Sequence, residues 1–416
     1  MPSPSPAAAR IDVPCPACGS AGLDGFFAQD GVPLQSNLLL TTRAEALAMP
    51  AGDLRLGFCR ACGFVANAAF DPASQELSAQ YEASQGFSGT FNAFAKSLAQ
   101  RWADRYELAG KTAVEIGCGK GEFLALLCAV GKCRGVGFDP TLDPARLPPT
   151  EGLDVEWVPA RFDAAAAARL AAAGRAMDFA CCRHTLEHVP DVAAFVQTLR
   201  AAIGDRDHVR VGFEVPDTLR VLREGAFWDL YYEHCSYFTA GSLRGLFERC
   251  GFEVLAESAE FDGQYLILEA KPAGAGVEAP GTAGVAKAGG PAPGLAEVAA
   301  AVARFPALCQ AQIDRWRGMV EGTLSAGRRV TLWGASSKAV GFLTALGLGH
   351  DRVPVVVDIN PHKLGSYLPT SGCEIVGPAD LTDAPPDVVI VMNPIYTAEI
   401  TRDLRGRGIG AEVVAL

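Results

Sequence analysis

The stretch Thr112 to Leu124, TAVEIGCGKGEFL, constrains the fold more than any other. A short apolar run stops at an acidic residue and passes into a glycine-rich loop before a helical pattern begins. It reads as a strand, a tight turn and a helix start. Gly117, Gly119 and Gly121 have no side chains to hold a ligand away and can adopt positive φ, so the backbone can run close to a bound molecule. The loop lacks the GxGxxG spacing of a dinucleotide fingerprint and the terminal Lys-Ser/Thr of a P-loop, which makes phosphate cradling the weaker reading. Further on, Arg134 to Asp139 (RGVGFD) gives a second short strand ending in a carboxylate. In doubly wound sheets that strand tip is where a ribose is hydrogen-bonded.

From Lys111 the chain alternates strand and helix through MDFACCRHTLEHVPD and VRVGFEVPD, and two hairpin-type strands follow at Gly251 and Gly263. This predicts an α/β fold with a doubly wound parallel sheet, whose ligands sit outside the carboxyl ends of the strands. Glu115, Asp139, and His184 with His188 occupy such ends. Asp163 is a further candidate, for an adenine amine, with a helix N-cap before the alanine run an equal reading. His184 and His188 stand four apart, which on a helix would put them on one face. A metal pair lacks an evident third ligand, and HTLEH is not the HExxH order, so a general base or a substrate hydrogen bond is preferred. Ala226 to Phe238 packs Tyr231, Tyr232, Glu233 and His234 into a turn-like segment, a set able to hold, polarise and deprotonate a substrate.

Ahead of this unit, Cys15-Pro-Ala-Cys18-Gly19 and Cys59-Arg-Ala-Cys62-Gly63 are two CxxCG knuckles. Together they can supply four thiolates to one tetrahedral Zn²⁺, and four thiolates leave no open position for catalysis, so the expected role is structural. The residues between them (VPLQSNLLL, TTRAEALAMP) are expected to form strands and a short helix too small to stand without the metal. Thirteen cysteines, an odd number, argue against a disulfide framework. Between the second knuckle and the glycine loop, Gln75 to Tyr81 and Thr90 to Tyr106 have helical spacing. The break between them carries Tyr81, Ser84 and Gln85, either an ordinary loop or a flap over a site.

After residue 272 the composition turns to Gly, Ala and Pro, a linker over 273–294. A long helix and a second strand, small-residue turn and helix pattern (Arg329-VTLWGASSKA) predict a C-terminal Rossmann-like domain over 295–416. GASSKA has too few glycines for a dinucleotide site, so a substrate-clasping half is favoured, with Lys338, Asn393 and Tyr396 at its strand ends and Lys338 a phosphate contact. The expected layout is a disordered tail over 1–10, a small Cys₄ zinc domain over 11–75, the central domain over 76–272, then linker and C-terminal domain. The net charge of −11 disfavours a nucleic-acid surface. MPSPSPAAAR has no apolar h-region and no apolar run approaches membrane-spanning length, so the chain reads as cytoplasmic with no membrane partner.

VEIGCGKGEFL followed by VGFDP resembles class I S-adenosylmethionine-dependent methyltransferases. The resemblance implies that Glu115 and the Gly117 to Gly121 loop hold the methionine moiety and Asp139 the ribose, with Asp163 and His184 also around the cofactor. Taken whole, the knuckles, the YYEHCSYF segment and the C-terminal domain resemble the three-part sugar C-methyltransferases acting on nucleotide-linked keto-deoxysugars. That likeness implies His234 as base, Tyr231 and His188 as hydrogen-bonding groups, and Glu233 as orienter. Tyr81, Gln85, Tyr232, Lys338, Asn393 and Tyr396 would line the substrate. An O- or N-methyltransferase on a sugar or small metabolite is the alternative, and a non-catalytic binding protein a further one. Oligomeric state is not legible in the sequence.

Overall fold

A computed structural model describes residues 10–74, 78, 80–274 and 294–416. Most of the expected tail and linker, and the start of the Gln75 helix, lie outside the described residues.

The N-terminal sheet runs β1 (Arg10–Ile11), β2 (Leu23–Pro33), β3 (Ala51–Phe58) and β4 (Val65–Asn67), with helix α1 (Arg43–Leu47) between β2 and β3. Its fifth strand is β10 (Ser236–Tyr237), lent by the central unit and pairing Ser236 with Ala66 and Tyr237 with Val65. VPLQSNLLL departs from expectation. β2 stops at Pro33, and Gln35, Ser36 and Asn37 form a buried polar loop that reaches toward the other domains.

Helix α2 (Gly89–Arg105), capped by Ser88, leads into the central sheet and buries Leu98 and Trp102. The central strands are β5 (Thr112–Ile116), β6 (Arg134–Phe138), β7 (Val155–Val158), β8 (Phe179–Arg183), β9 (Arg210–Pro216), β11 (Phe252–Glu260) and β12 (Tyr265–Pro272). They are ordered β11-β12-β9-β8-β5-β6-β7. The five from β5 to β9 are parallel, and β12 and β11 close one edge antiparallel, as the hairpin signal predicts. Helices α3 (Glu122–Gly131), α4 (Ala164–Ala172), α5 (Val192–Ile203), α6 (Thr218–Glu224) and α7 (Ala240–Arg249) connect them. The central strands β5, β8 and β9 are buried along nearly their whole length because helices cover both faces, and the edge strand β7 is only partly covered.

Helix α8 (Leu295–Ser325) precedes a five-stranded, all-parallel sheet ordered β15-β14-β13-β16-β17. Its strands are β13 (Val330–Trp333), β14 (Val355–Val357), β15 (Glu374–Val376), β16 (Val388–Val391) and β17 (Glu412–Ala415), with helices α9 (Ser337–Leu346) and α10 (Thr397–Gly406). One apolar core joins these units: Phe305 of α8 sits edge-on to Phe26 and Phe27 of β2, and Trp316 edge-on to Phe342 of α9. The N-terminal sheet is therefore packed against the helix that carries the C-terminal domain. Among the described residues no helix is long and apolar enough to cross a membrane.

Candidate active site

Gly117, Gly119 and Gly121 all have positive φ, between 54° and 78°. They do different work. A Cβ on Gly117 would lie 2.1 Å from Thr185 Oγ1, and one on Gly121 2.5 Å from the Trp157 ring, whereas Gly119 faces open space. Gly117 and Gly119 line a cavity of about 500 Å³ at the carboxyl ends of β5, β6 and β8. Gly121 is the αL residue that starts α3 and serves packing, a correction to its reading as a ligand contact.

Glu115 and Asp139 lie on the same cavity. Asp139 Oδ2 accepts from Gly119 N at 2.9 Å, and Oδ1 accepts from Thr141 N and Oγ1 at 2.7 Å. Burial raises the Glu115 carboxyl to about 8 against the opposing pull of Arg183, and its Oε2 lacks a hydrogen-bond partner among the described residues. An orphaned buried acceptor beside a glycine loop with an open face fits a ligand bearing an amine and a ribose. S-adenosylmethionine has both. Asp163 does not reach this cavity. Its Oδ1 accepts from Ala166 N at 2.7 Å, so it caps α4, and Phe162 takes the place on the wall.

His184 and His188 do not share a helix face. Strand β8 ends at Arg183, His184 takes φ +48°, and the chain enters a single 3₁₀ turn over Leu186–His188. His184 Nε2 is thereby carried to 2.7 Å from Glu214 Oε1 on β9. Burial disfavours its charge, but Glu214 and Glu187 outweigh that and lift it to about 9. Burial would likewise raise Glu214, yet Arg183 and His184 hold it down at about 2. His188 turns the other way, with Nδ1 3.0 Å from the Glu233 carbonyl oxygen. A carbonyl only accepts, so the proton of the neutral ring is on Nδ1 and the lone pair on Nε2.

The Tyr231–Tyr237 segment is pinned at both ends. Tyr237 OH donates to the Tyr231 carbonyl at 3.0 Å and accepts from Tyr231 N, while β10 anchors the far end to the N-terminal sheet. Tyr231 and His234 face a second cavity of about 350 Å³, between the central and C-terminal domains. Tyr231 OH donates to Asp229 Oδ1 at 2.9 Å, and burial pushes its own pKa up. Lys338 also ends on Asp229, from the first turn of α9. The ammonium expected to meet phosphate is thus already paired, and burial lowers its pKa while Asp229 opposes. His234 packs edge-on to the rings of Tyr231 and His188, each 4.8 Å away. Burial first, and then His188, lower its pKa well below the usual imidazole value.

Glu233 faces the first cavity, and its Oε1 accepts from Ser36 N at 3.3 Å and from Ser36 Oγ. Ser36 Oγ is 2.7 Å from Ser337 Oγ, itself 2.7 Å from Asn37 Nδ2. Ser36 has one hydroxyl proton and it goes to the carboxylate. The donors must therefore run Asn37 to Ser337 to Ser36 to Glu233, one chain built from all three domains.

Tyr81 OH accepts from Asn37 Nδ2 at 3.3 Å, and Gln85 bridges Tyr265 and Tyr396 across both cavities. Ser88 and Thr90 bind Glu399 of α10, which ties this strap to the C-terminal domain. Asn393 exchanges a reciprocal amide pair with Gln264 at the second cavity. Tyr232 lines the first cavity and also braces the N-terminal sheet, its hydroxyl accepting from Asp71 N at 2.9 Å and its ring covering Gly52. Sequence reasoning gave no role to Ser36, Asn37 or Glu214, and no separate one to Glu187 and Asp229. Of these Asp229 had a local signal, two residues before Tyr231, and so had Glu187, directly before His188.

The four knuckle sulfurs lie within 4.8 Å of one another, with Cys15 to Cys62 at 3.7 Å and Cys18 to Cys59 at 3.6 Å. Zn–S bonds of about 2.3 Å in a tetrahedron require S···S edges of about 3.8 Å, so the set fits zinc. Gly19 and Gly63, at φ +71° and +79°, close the turns by donating to the Cys15 and Cys59 carbonyls.

A family model described as a methyltransferase domain matches residues 89–257, and one described as a C-methyltransferase C-terminal domain matches residues 294–415. The C-methyltransferase NovU of Streptomyces niveus is 31% identical over 294 residues, covering 70% of this chain and 68% of its own. A ubiquinone biosynthesis O-methyltransferase from a Methylobacterium species is 34% identical over 100 residues, 23% of this chain and 38% of that protein. The 1,6-didemethyltoxoflavin-N1-methyltransferase of Burkholderia thailandensis is 17% identical at a TM-score of 0.32, covering 43% of this chain and 78% of its own.

Proposed function

This chain belongs to the C-methyltransferase family, and on that premise we propose that it methylates a carbon α to the ketone of a nucleotide-linked keto-deoxysugar. It is an S-adenosylmethionine-dependent methyltransferase with a structural zinc site. Glu115, Gly117, Gly119 and Asp139 would hold the cofactor, which supplies an electrophilic methyl group.

The observation that carries the reading is His234. It lines the second cavity as a half-buried imidazole kept neutral by its surroundings, and so has a lone pair to take a proton. A carbon becomes nucleophilic only when a proton α to a carbonyl is removed. Burial lowers the basicity of His234, and the negative enolate formed beside it offsets that loss. Lys338, held on Asp229, has ammonium protons left to offer the enolate oxygen, a donor fixed before the charge develops, and Tyr231, whose one hydroxyl proton goes to Asp229, keeps that carboxylate in place. Glu233, held by Ser36, accepts from a sugar hydroxyl and orients the ring. Asn393 and Tyr396 extend the same cavity into the C-terminal domain, where the nucleotide half would lie. Methyl-labelled S-adenosylmethionine and a panel of nucleotide keto-sugars test this. The label should appear on a carbon of the sugar by NMR. A methyl on oxygen or nitrogen would replace the reading with that of an O- or N-methyltransferase.

A further inference from the structure

The pair His184 and His188 has no evident third metal ligand in the sequence, and the structure pairs His188 differently. Glu187, His188 and His234 bring one carboxylate oxygen and two imidazole nitrogens within 4.8 Å of one another. All three lie on the second cavity. His234 comes from 46 positions further along the chain, beyond the reach of any motif.

Two independent features show a ligand-ready set. Glu187 is 2% exposed, and its Oε2 has no hydrogen-bond partner among the described residues, an uncompensated acceptor in a buried place. His188 donates Nδ1–H to the Glu233 carbonyl. This is the outer hydrogen bond that fixes the tautomer and orientation of a metal-ligating histidine. The His188 and His234 rings meet at 90° with centroids 4.8 Å apart. Bonds of about 2.0 to 2.1 Å to a common ion require an inward movement of less than about 1 Å per donor, within reach of side-chain rotation.

We propose that Glu187, His188 and His234 form a binding site for a borderline divalent cation of the Zn²⁺, Co²⁺ and Ni²⁺ class, and that its occupancy switches the methyltransferase off. Two imidazoles and one carboxylate select such ions over Mg²⁺ and Ca²⁺, which take oxygen ligands. The inhibition rests on the base role of His234 given above, since an ion on that ring occupies the lone pair needed for proton abstraction. The metal site itself does not rest on it. The Cys₄ site is separate and saturated by its own four thiolates.

The experiment is a Co²⁺ titration of the full chain carrying one equivalent of zinc, followed by visible absorption and, in parallel, by methyl transfer. The expected result is one equivalent of bound Co²⁺ with the weak d–d bands of a nitrogen and oxygen set and no thiolate charge-transfer band. Methyl transfer should fall in step with those bands, and Mg²⁺ should do neither. Glu187→Gln and, as a second variant, His188→Asn should each weaken Co²⁺ binding at least about tenfold. A thiolate charge-transfer band alone, no d–d band in the wild type, or unchanged affinity in both variants would overturn the site. Binding that leaves the rate unchanged or raises it would overturn the switch. If no sugar is methylated at all, the functional reading fails, and the absorption titration still decides the site.

Discussion

Ser36→Ala tests whether the N-terminal loop governs the charge of Glu233. Ser36 Oγ donates to Glu233 Oε1, and the order of donors behind it, Asn37 and Ser337, leaves no other use for that proton. A hydrogen bond to a charged group contributes about 1.5 to 3 kcal/mol, which corresponds to about 1 to 2 pKa units on the acceptor. Burial already raises Glu233 above the usual carboxylate range, with His188 and then Ser36 opposing. Removing Ser36 raises it further. A carboxyl whose folded pKa is raised contributes stability at low pH that is lost as pH rises through that value. The variant should therefore be less stable than the wild type by about 1.5 to 3 kcal/mol near about pH 8, and the gap should close as pH falls toward about pH 4. Chemical denaturation at a series of pH values measures it. A deficit equal at both ends would show that Ser36 contributes packing only and would refute the reasoning.

Gly117→Ala should cost about 2 to 4 kcal/mol, from the left-handed backbone and a Cβ forced into Thr185, and should abolish cofactor binding. Adding Thr185→Ala should recover part of the stability, as read from denaturation midpoints and calorimetric titration with S-adenosylhomocysteine. Chelation should remove one zinc per chain, lower the melting temperature and stop methyl transfer, because β10, two residues past His234, pairs with the knuckle-bearing sheet. One equivalent of Zn²⁺, enough for the four thiolates alone, but not Mg²⁺ should restore it, and an unchanged melting temperature after metal loss would contradict the zinc assignment. Glu214→Gln should cost most between about pH 5 and about pH 6.5. Above that window the contribution of His184 is lost as pH rises through about 9, and below it that of Glu214 is lost as pH falls through about 2.

What the sequence made legible was local. The glycine loop, Asp139 and the two CxxCG turns each carry their signal within a few residues, because φ sign, strand ends and chelate spacing are short-range properties. The Tyr-Tyr-Glu-His segment is dense enough to mark itself. The cooperating partners are not: Ser36 and Ser337 stand 301 positions apart, and Lys338 meets Asp229 across 109. Helical spacing misread His184 and His188 because one left-handed residue at the end of β8 sends the two rings apart. Asp163 and Gly121 were overassigned for a shared reason. A residue that starts a helix near a cavity has the same sequence pattern as one that binds a ligand there, and only the observed cap and the Trp157 contact separate them.

The central claim is that His234 removes a proton from carbon. Its most direct test is the exchange of that proton with deuterated water, followed by NMR on a nucleotide keto-sugar in the presence of enzyme and S-adenosylhomocysteine, where no methyl can be transferred. The wild type should wash deuterium into the α position, and His234→Ala, still binding S-adenosylhomocysteine, should slow that exchange by about 10² to 10⁴-fold. Exchange at an undiminished rate in His234→Ala would contradict the account.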